Sequence, residues 1–482
     1  MNEQSARCLR LGLVVVALAA VVSCAVNPVT GKRDFMLLTE ADEINLGKQT
    51  DAEVIATYGV LENPQLQAYV ADLGQRLARV SHRPQLPYSF KVLDSPVINA
   101  FAVPGGYVYL TRGILAYLNN EAELAGVMGH EIGHITARHT AKQYSKAMVA
   151  GLGLEVGKAL SAEFRKFAPY VEFGVGMLFL KFSRDDERQA DELGVTYSTK
   201  AGYDASNMAN FFVTLERMQP SSAQGLPDWF STHPNPPSRI KNIQSLAAQW
   251  KKTVGAAEYQ VNSEKYLRSV DGIIYGEDPR QGYVADGIFY HPTMRFQFPV
   301  PQNWNVANTP SQVQMVSPQE DAVILFMLAK ESTPKAAADR FVQETGATVV
   351  ESTALQVNGL PAHRLVTNLV SGESALSVLS HFIQKGNMVF VFHGYTLQAG
   401  FAQYRTLFQN TAAQFRELTD PARINVKPAI LRVKAAPRQA TLRQILKDFG
   451  VADDQLSAMA ILNGKELEQV LPAGTLVKVV EK

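Results

Sequence analysis

Residues 129–139 read Gly129-His130-Glu131-Ile132-Gly133-His134-Ile135-Thr136-Ala137-Arg138-His139. His130 and His134 stand four apart, so a helix places them on one face, one turn from each other. Two imidazoles so placed can hold one zinc ion at about 2.0–2.1 Å. Glu131 points beside such a metal, where it can take a proton from an activated water and return it to a leaving amine. A solvated helix face could carry the same letters. Leu124, Val127, Met128, Ile132 and Ile135, however, make the segment largely apolar. Histidines and an acid on a mostly buried helix need a partner, and a metal is the natural one.

Upstream, Asn120 followed by Glu123 reads as a capping box, with the helix running to about Tyr144. A catalytic zinc takes three protein ligands and keeps one position open. His139 is a poor third ligand. It lies nine residues after His130, with Ala137 where a glycine is expected, and about 140° around the helix from His134. Ser183-Arg184-Asp185-Asp186-Glu187-Arg188-Gln189-Ala190-Asp191 offers a better one. Ser183 caps a helix with acids in its first turn. Glu187 can bind zinc, and Asp191, four residues on, can accept a ring N–H from a zinc histidine. Taken alone, this segment also fits a charged, solvated helix start.

These motifs resemble family forty-eight of the metallopeptidases, gluzincins that include HtpX, the CAAX prenyl protease and the periplasmic protease BepA. Asn99-Ala100-Phe101-Ala102-Val103-Pro104-Gly105-Gly106 and His233-Pro234 join the match, which spans about residues 35–255. The resemblance implies one zinc per chain on His130, His134 and Glu187, with Glu131 as general base and Asp191 behind the ligands. It also implies that His233 and Arg239 lie near the metal and stabilise the oxyanion, and that His233 can fill the open position and switch the site off. Without the resemblance, a histidine before proline is an ordinary loop residue. The strand Asn99, Ala100, Phe101, Ala102, Val103 becomes the sheet edge on which substrate adds as a strand, through main-chain hydrogen bonds and with loose sequence preference. Unfolded or misassembled envelope proteins suit that mode.

The remaining sequence sets the context. Arg7 and Arg10 precede a 12-residue apolar run, Leu11–Val22, too short for the ~20 residues of a spanning helix. It fits a secretory signal peptide over residues 1–23. Val21-Val22-Ser23-Cys24 resembles a bacterial lipobox, which implies cleavage before Cys24, a lipid on its sulfur, and a membrane tether over residues 24–34. Ala25 resembles the residue of enterobacterial signals that sort to the outer membrane. Cys8 and Cys24 are the two cysteines, so the processed chain has no disulfide. Net charge is +1, from 46 basic and 45 acidic residues without a basic block, which argues against a nucleic-acid partner.

Helical periodicity marks Glu40–Tyr58 and Pro64–Val80, and Asn235-Pro236-Pro237 starts a helix ending near Trp250. A second apolar stretch, Tyr170–Phe182, is too short to span a bilayer. A Gly/Asp/Pro-rich boundary at Gly272–Gly287 closes the peptidase-like domain, residues 35–275. Residues 285–418 alternate strand-like and helix-like runs and resemble the α+β fold of PsbP and Mog1-like proteins. Pro421–Pro437 reads as a linker. Residues 424–482 resemble a LysM unit, which implies peptidoglycan binding, although Gln439-Ala440 replaces the usual Gly-Asp. The expected fold is thus α+β and multidomain: a mainly helical zincin-type domain with a small edge-strand sheet, an α+β domain, and a small LysM-like unit. The alternatives are a non-catalytic envelope scaffold with a latent zinc site and, from the tail alone, a cell-wall hydrolase.

Overall fold

The computed structural model describes residues 24–150, 181–218, 229–233, 238–255, 258–371 and 374–482. The signal segment, most of Tyr170–Phe182, Pro234 and Asn235-Pro236-Pro237 lie outside the described residues. No helix among the described residues is long and apolar enough to cross a membrane. The chain forms two compact units: one holds residues up to 55, 59–276 and 430–481, and the other centres on 277–429.

The first unit opens with a hairpin of β1 (Cys24–Val26) and β2 (Arg33–Phe35), within the short, turn-rich stretch read as a tether. Helix α1 (Glu40–Tyr58) starts at a Thr39/Asp42 capping box, and α2 (Pro64–Arg79) starts at Asn63 with proline in the first turn. Strands β3 (Ser89–Leu93), β4 (Ala100–Val103) and β5 (Tyr107–Thr111) form one sheet in the order β3-β5-β4. β5 is parallel to β3 and antiparallel to β4, so β4 is an edge.

After the short α3 (Arg112–Tyr117), α4 (Glu121–Thr136) carries the histidines and is buried throughout. Asn120 caps it by accepting from the Glu123 N–H. The return bond of a capping box is displaced, because the Glu123 carboxylate takes the Asn119 N–H instead. The expected single helix to Tyr144 is corrected. α4 stops at Thr136, Arg138 adopts φ +60°, and α5 (His139–Ala150) sets off anew.

That left-handed arginine is held by its own side chain. Its guanidinium pairs with Glu43 and donates to Leu38 O. Arg83 also binds Glu43, at 2.9 Å, and donates to Ile135 O, which the Arg138 backbone N–H reaches as well at the end of α4. One buried carboxylate on α1 thus fixes where the histidine helix ends. Glu43→Ala, which leaves the buried Arg138 guanidinium without its carboxylate and Arg83 with Glu40 alone, at 2.8 Å, should cost about 3–5 kcal/mol, measured by urea unfolding. A loss below about 1 kcal/mol would contradict this bracing.

Helix α6 (Arg184–Lys200) starts at a Ser183/Asp186 capping box and packs on α4. Glycines make the crossing close. A Cβ on Gly129 would lie 3.0 Å from Gly194 O, and one on Gly194 would lie 3.0 Å from His130 N. Backbone-to-backbone contact brings the two motif helices within side-chain reach of one metal. α7 (Met208–Arg217) and α8 (Arg239–Val254) complete the surround.

Residues 430–481 pack into this same unit, although the sequence suggested a tail set apart by a linker. Ala429–Ala435, inside the expected linker, is a strand. It pairs antiparallel with Leu476–Glu481 and extends a sheet with Ile274–Tyr275. Helices Leu442–Asp448 and Leu456–Leu462 lie between the two strands in sequence. Leu442, Ile445, Leu462 and Val479 share one core with Leu124 and Val127 of α4. Lys478, fully buried, donates to Ala116 O and Leu118 O at 2.7 and 2.8 Å.

The second unit holds a seven-stranded antiparallel sheet and a four-stranded antiparallel one that includes Ile288–His291 and Phe296–Pro299. The strands of the larger sheet include Ala322–Leu328, Ser374–Lys385 and Met388–Leu397. Tyr404 and Phe408 of helix Phe401–Ala413 pack with Phe390 and Phe392 on one face. Ala337 and Ala338 of helix Pro334–Thr345 pack with Val389 and Val391 on the other, as strand alternation requires.

Three histidines, His363, His381 and His393, are buried in the larger sheet, and two of them are strongly perturbed. Burial pushes His393 from 6.5 down to about 3, and burial followed by Arg364 pushes His381 down to about 4. Between those values and 6.5, the unfolded chain binds more protons than the folded one. Stability is therefore full above about pH 6.5 and is lost as pH falls toward 4, by roughly 2 kcal/mol per histidine at pH 5. Urea titrations at pH 7 and pH 5 should show this loss, reduced in His393→Leu. Equal stability at both pH values would contradict the burial argument.

Candidate metal centre

Four potential ligand atoms converge, one each from His130, His134, Glu187 and His233, all within 4.8 Å of one another and all from buried residues. α4 supplies the first two, α6 the third, and the short helical turn Trp229–Thr232 leads into the fourth. His134 Nε2 lies 3.0 Å from His130 Nε2 and 3.4 Å from Glu187 Oε1. His233 Nδ1 lies 2.9 Å from Glu187 Oε1 and 3.4 Å from His130 Nε2.

Zinc fits this donor set. Ligand distances of ~2.0–2.1 Å in a tetrahedron put neighbouring donors ~3.3 Å apart, the spacing seen here. Glu131 Oε1 and His233 Nε2 are also buried without a hydrogen-bond partner, the condition a metal and its water relieve. Burial holds His130 and His134 below the ordinary imidazole range, so their lone pairs stay available. Burial alone would raise Glu187, but the charges of His233 and Arg239 and bonds from His134 and His233 bring it well below the carboxylate range.

A second layer orients the ligands. His130 Nδ1 sits 3.0 Å from Asp191 Oδ1, which directs Nε2 into the cluster. Arg239 forks Asp191 with two contacts of 2.7 Å and places Nη1 3.0 Å from Glu187 Oε2. Its guanidinium stacks 4.2 Å from the Phe212 ring. Arg239, expected near a reacting oxyanion, has its polar edge turned to these two carboxylates.

His139 is 2% exposed, with Nδ1 3.1 Å from His134 Nδ1 and Nε2 2.9 Å from Gln189 Oε1. It stands behind a ligand and not among the ligands, as its spacing indicated. The Trp229 ring stacks on His233 at 4.3 Å, and the Trp229 backbone N–H donates to Ile98 O. Neither Trp229 nor Gln189 carried a signal in the sequence, because each is placed by a fold contact and not by a motif offset.

Residues 64–247 match the pattern of peptidase family M48. Over this stretch the chain is similar to peptidase family M48. The putative beta-barrel assembly-enhancing protease of Vibrio cholerae is 34% identical over 199 residues, 40% of this chain and 41% of that one. The beta-barrel assembly-enhancing protease of Escherichia coli K12 is 29% identical over 226 residues, 45% of this chain and 46% of that one. The mitochondrial metalloendopeptidase OMA1 of Schizosaccharomyces pombe is 29% identical over 223 residues, 45% of this chain and 64% of that one. The chain thus spans less than half the length of the bacterial relatives. Among solved structures, Synechocystis PsbP covers 28% of this chain at TM-score 0.25 and 13% identity, with 96% of its own length matched. Yeast Mog1p covers 27% at TM-score 0.21 and 13% identity, with 93% of its own length matched. The matched residues 64–247 hold all of α4 and α6 and the donors His130, His134, Glu187 and His233.

Proposed function

We propose that this chain is a zinc-dependent endopeptidase of the bacterial envelope that hydrolyses unfolded or misassembled proteins. One observation carries the reading: buried His130, His134, Glu187 and His233 converge on one point, with the unbonded Glu131 Oε1 beside them. His130, His134 and Glu187 would hold the zinc, which supplies Lewis acidity and makes water a usable nucleophile near neutral pH.

The rest is work for this chain's own residues. Glu131 accepts the water proton on its carboxylate and hands it to the leaving amine. Burial and the neighbouring Glu187 charge raise its pKa well above the usual range, which lets it keep the proton between those steps. Asp191 fixes the His130 ring, and Arg239 positions Asp191 and Glu187. The edge strand β4, with Asn99 before it, takes substrate as an added strand. Cys24 carries the lipid that tethers the enzyme to a membrane, the outer membrane in our reading. Residues 424–482 add a peptidoglycan contact.

His233 has two roles here. With Nδ1 inside the donor set it blocks the fourth position, and when withdrawn it can stabilise the oxyanion. His233→Ala should therefore raise casein cleavage several-fold at unchanged zinc content. A fall in cleavage would assign His233 to catalysis alone. No cleavage by either form, with zinc bound, would favour a second reading, a scaffold whose zinc site is latent.

A further inference from the structure

The amino-terminal hairpin has its polarity reversed. In β1 and β2, Val26 pairs with Arg33, and Cys24 occupies the register position opposite Phe35. Alternation puts Val26, Arg33 and Phe35 on one face, with Leu37 two residues further on. That face is open: Val26, Phe35 and Leu37 are 54%, 42% and 41% exposed. The polar residues point the other way. Asn27 is buried and donates to Asp34 Oδ2 and to Ala137 O, just past the end of α4. Asp34 lies 3.6 Å from Lys142 Nζ, and the Leu37 N–H donates to Ser145 Oγ. The hairpin is therefore pinned to the peptidase unit by its polar side and presents its apolar side outward, with Lys32 and Arg33 exposed beside it.

We propose that this face seats on the bilayer, with Val26, Phe35 and Leu37 at the acyl boundary and Lys32 and Arg33 among anionic headgroups. The inference rests on the lipidation of Cys24 proposed above, which brings the hairpin to a membrane. The occupant follows from the register: the acylated residue, the apolar side chains and the cations share one short ribbon. A lipid on Cys24 tethers the chain to a membrane without setting its attitude to the surface, and the seat adds a second, orienting contact. Because Asn27 bonds Ala137 O, it also holds the end of the histidine helix at a fixed attitude to the surface.

The test separates the seat from the lipid. The described fold is contained in residues 24–482, in which Cys24 is the one thiol. A single myristoyl chain is coupled to it through maleimide. Partition is then measured on vesicles of phosphatidylcholine and phosphatidylglycerol for this protein and for Val26→Ser/Phe35→Ser/Leu37→Ser. The expected result is about tenfold weaker partition of the variant at equal melting temperature. Equal partition would overturn the seat, as would a lipid-free dimer that only the triple variant loses, since the face would then belong to a second copy. The mass of the amino-terminal peptide of the full chain made in bacteria reports lipidation separately. An unacylated Cys24 there would sink the lipid reading without touching the partition result.

Discussion

Glu131→Gln should lower peptide cleavage by ~10²–10⁴-fold, the contribution of a positioned general base, while zinc binding stays at the wild-type level. The substitution keeps the volume of the side chain and removes only its ability to take a proton. Glu131 is absent from the converging donor set, so the metal site should survive. Stability should hold or rise. Glu131 is fully buried, and its charge is opposed first by burial and then by Glu187, so a neutral amide relieves a cost. Casein cleavage, zinc by elemental analysis and a thermal melt check the three parts. Activity within a few-fold of wild type would remove Glu131 from the mechanism.

Arg239→Ala should fail differently. Arg239 lies buried between Phe212 and two buried acids, Asp191 and Glu187. Removing one partner of such a network leaves uncompensated charge and costs about 3–5 kcal/mol. With Asp191 loosened, His130 loses its fixed orientation, and zinc affinity should fall by about 10–100-fold. Arg239→Lys should recover little, because an ammonium cannot fork a carboxylate. Competition with a chelator gives the affinity, and urea unfolding of the metal-free protein gives the stability. A variant with normal stability and zinc affinity but a depressed kcat would instead place Arg239 at the oxyanion.

The histidine pair and the Glu187/Asp191 pair were legible in the sequence because helix geometry turns spacing into position, whereas joining Glu187 and His233 to the histidines took the family resemblance. A spacing of four from His130 to His134, and of four from Glu187 to Asp191, settles which side chains share a face. The caps at Asn120 and Ser183 were legible for the same reason. Three features were not. The break at Arg138 follows no local propensity, since an arginine is placed at positive φ by Glu43, 95 residues away. The role of Arg239 depends on what its fork meets in the folded chain, and its motif spacing suggested only proximity to the metal. Val470, Leu471 and the strand Leu476–Glu481 looked like part of a detached tail. Yet Leu471, Val477 and Val479 enter the peptidase core. The apolar pattern says that these residues are buried, not against what.

The most direct test of the central claim is the zinc content of residues 24–482, purified without chelator, alongside His134→Ala and Glu187→Ala. The account predicts one zinc per wild-type chain and at most a trace in either variant at equal metal exposure. A zinc-free wild-type chain that fails to take up the metal on titration, or full zinc retention in Glu187→Ala, would contradict it.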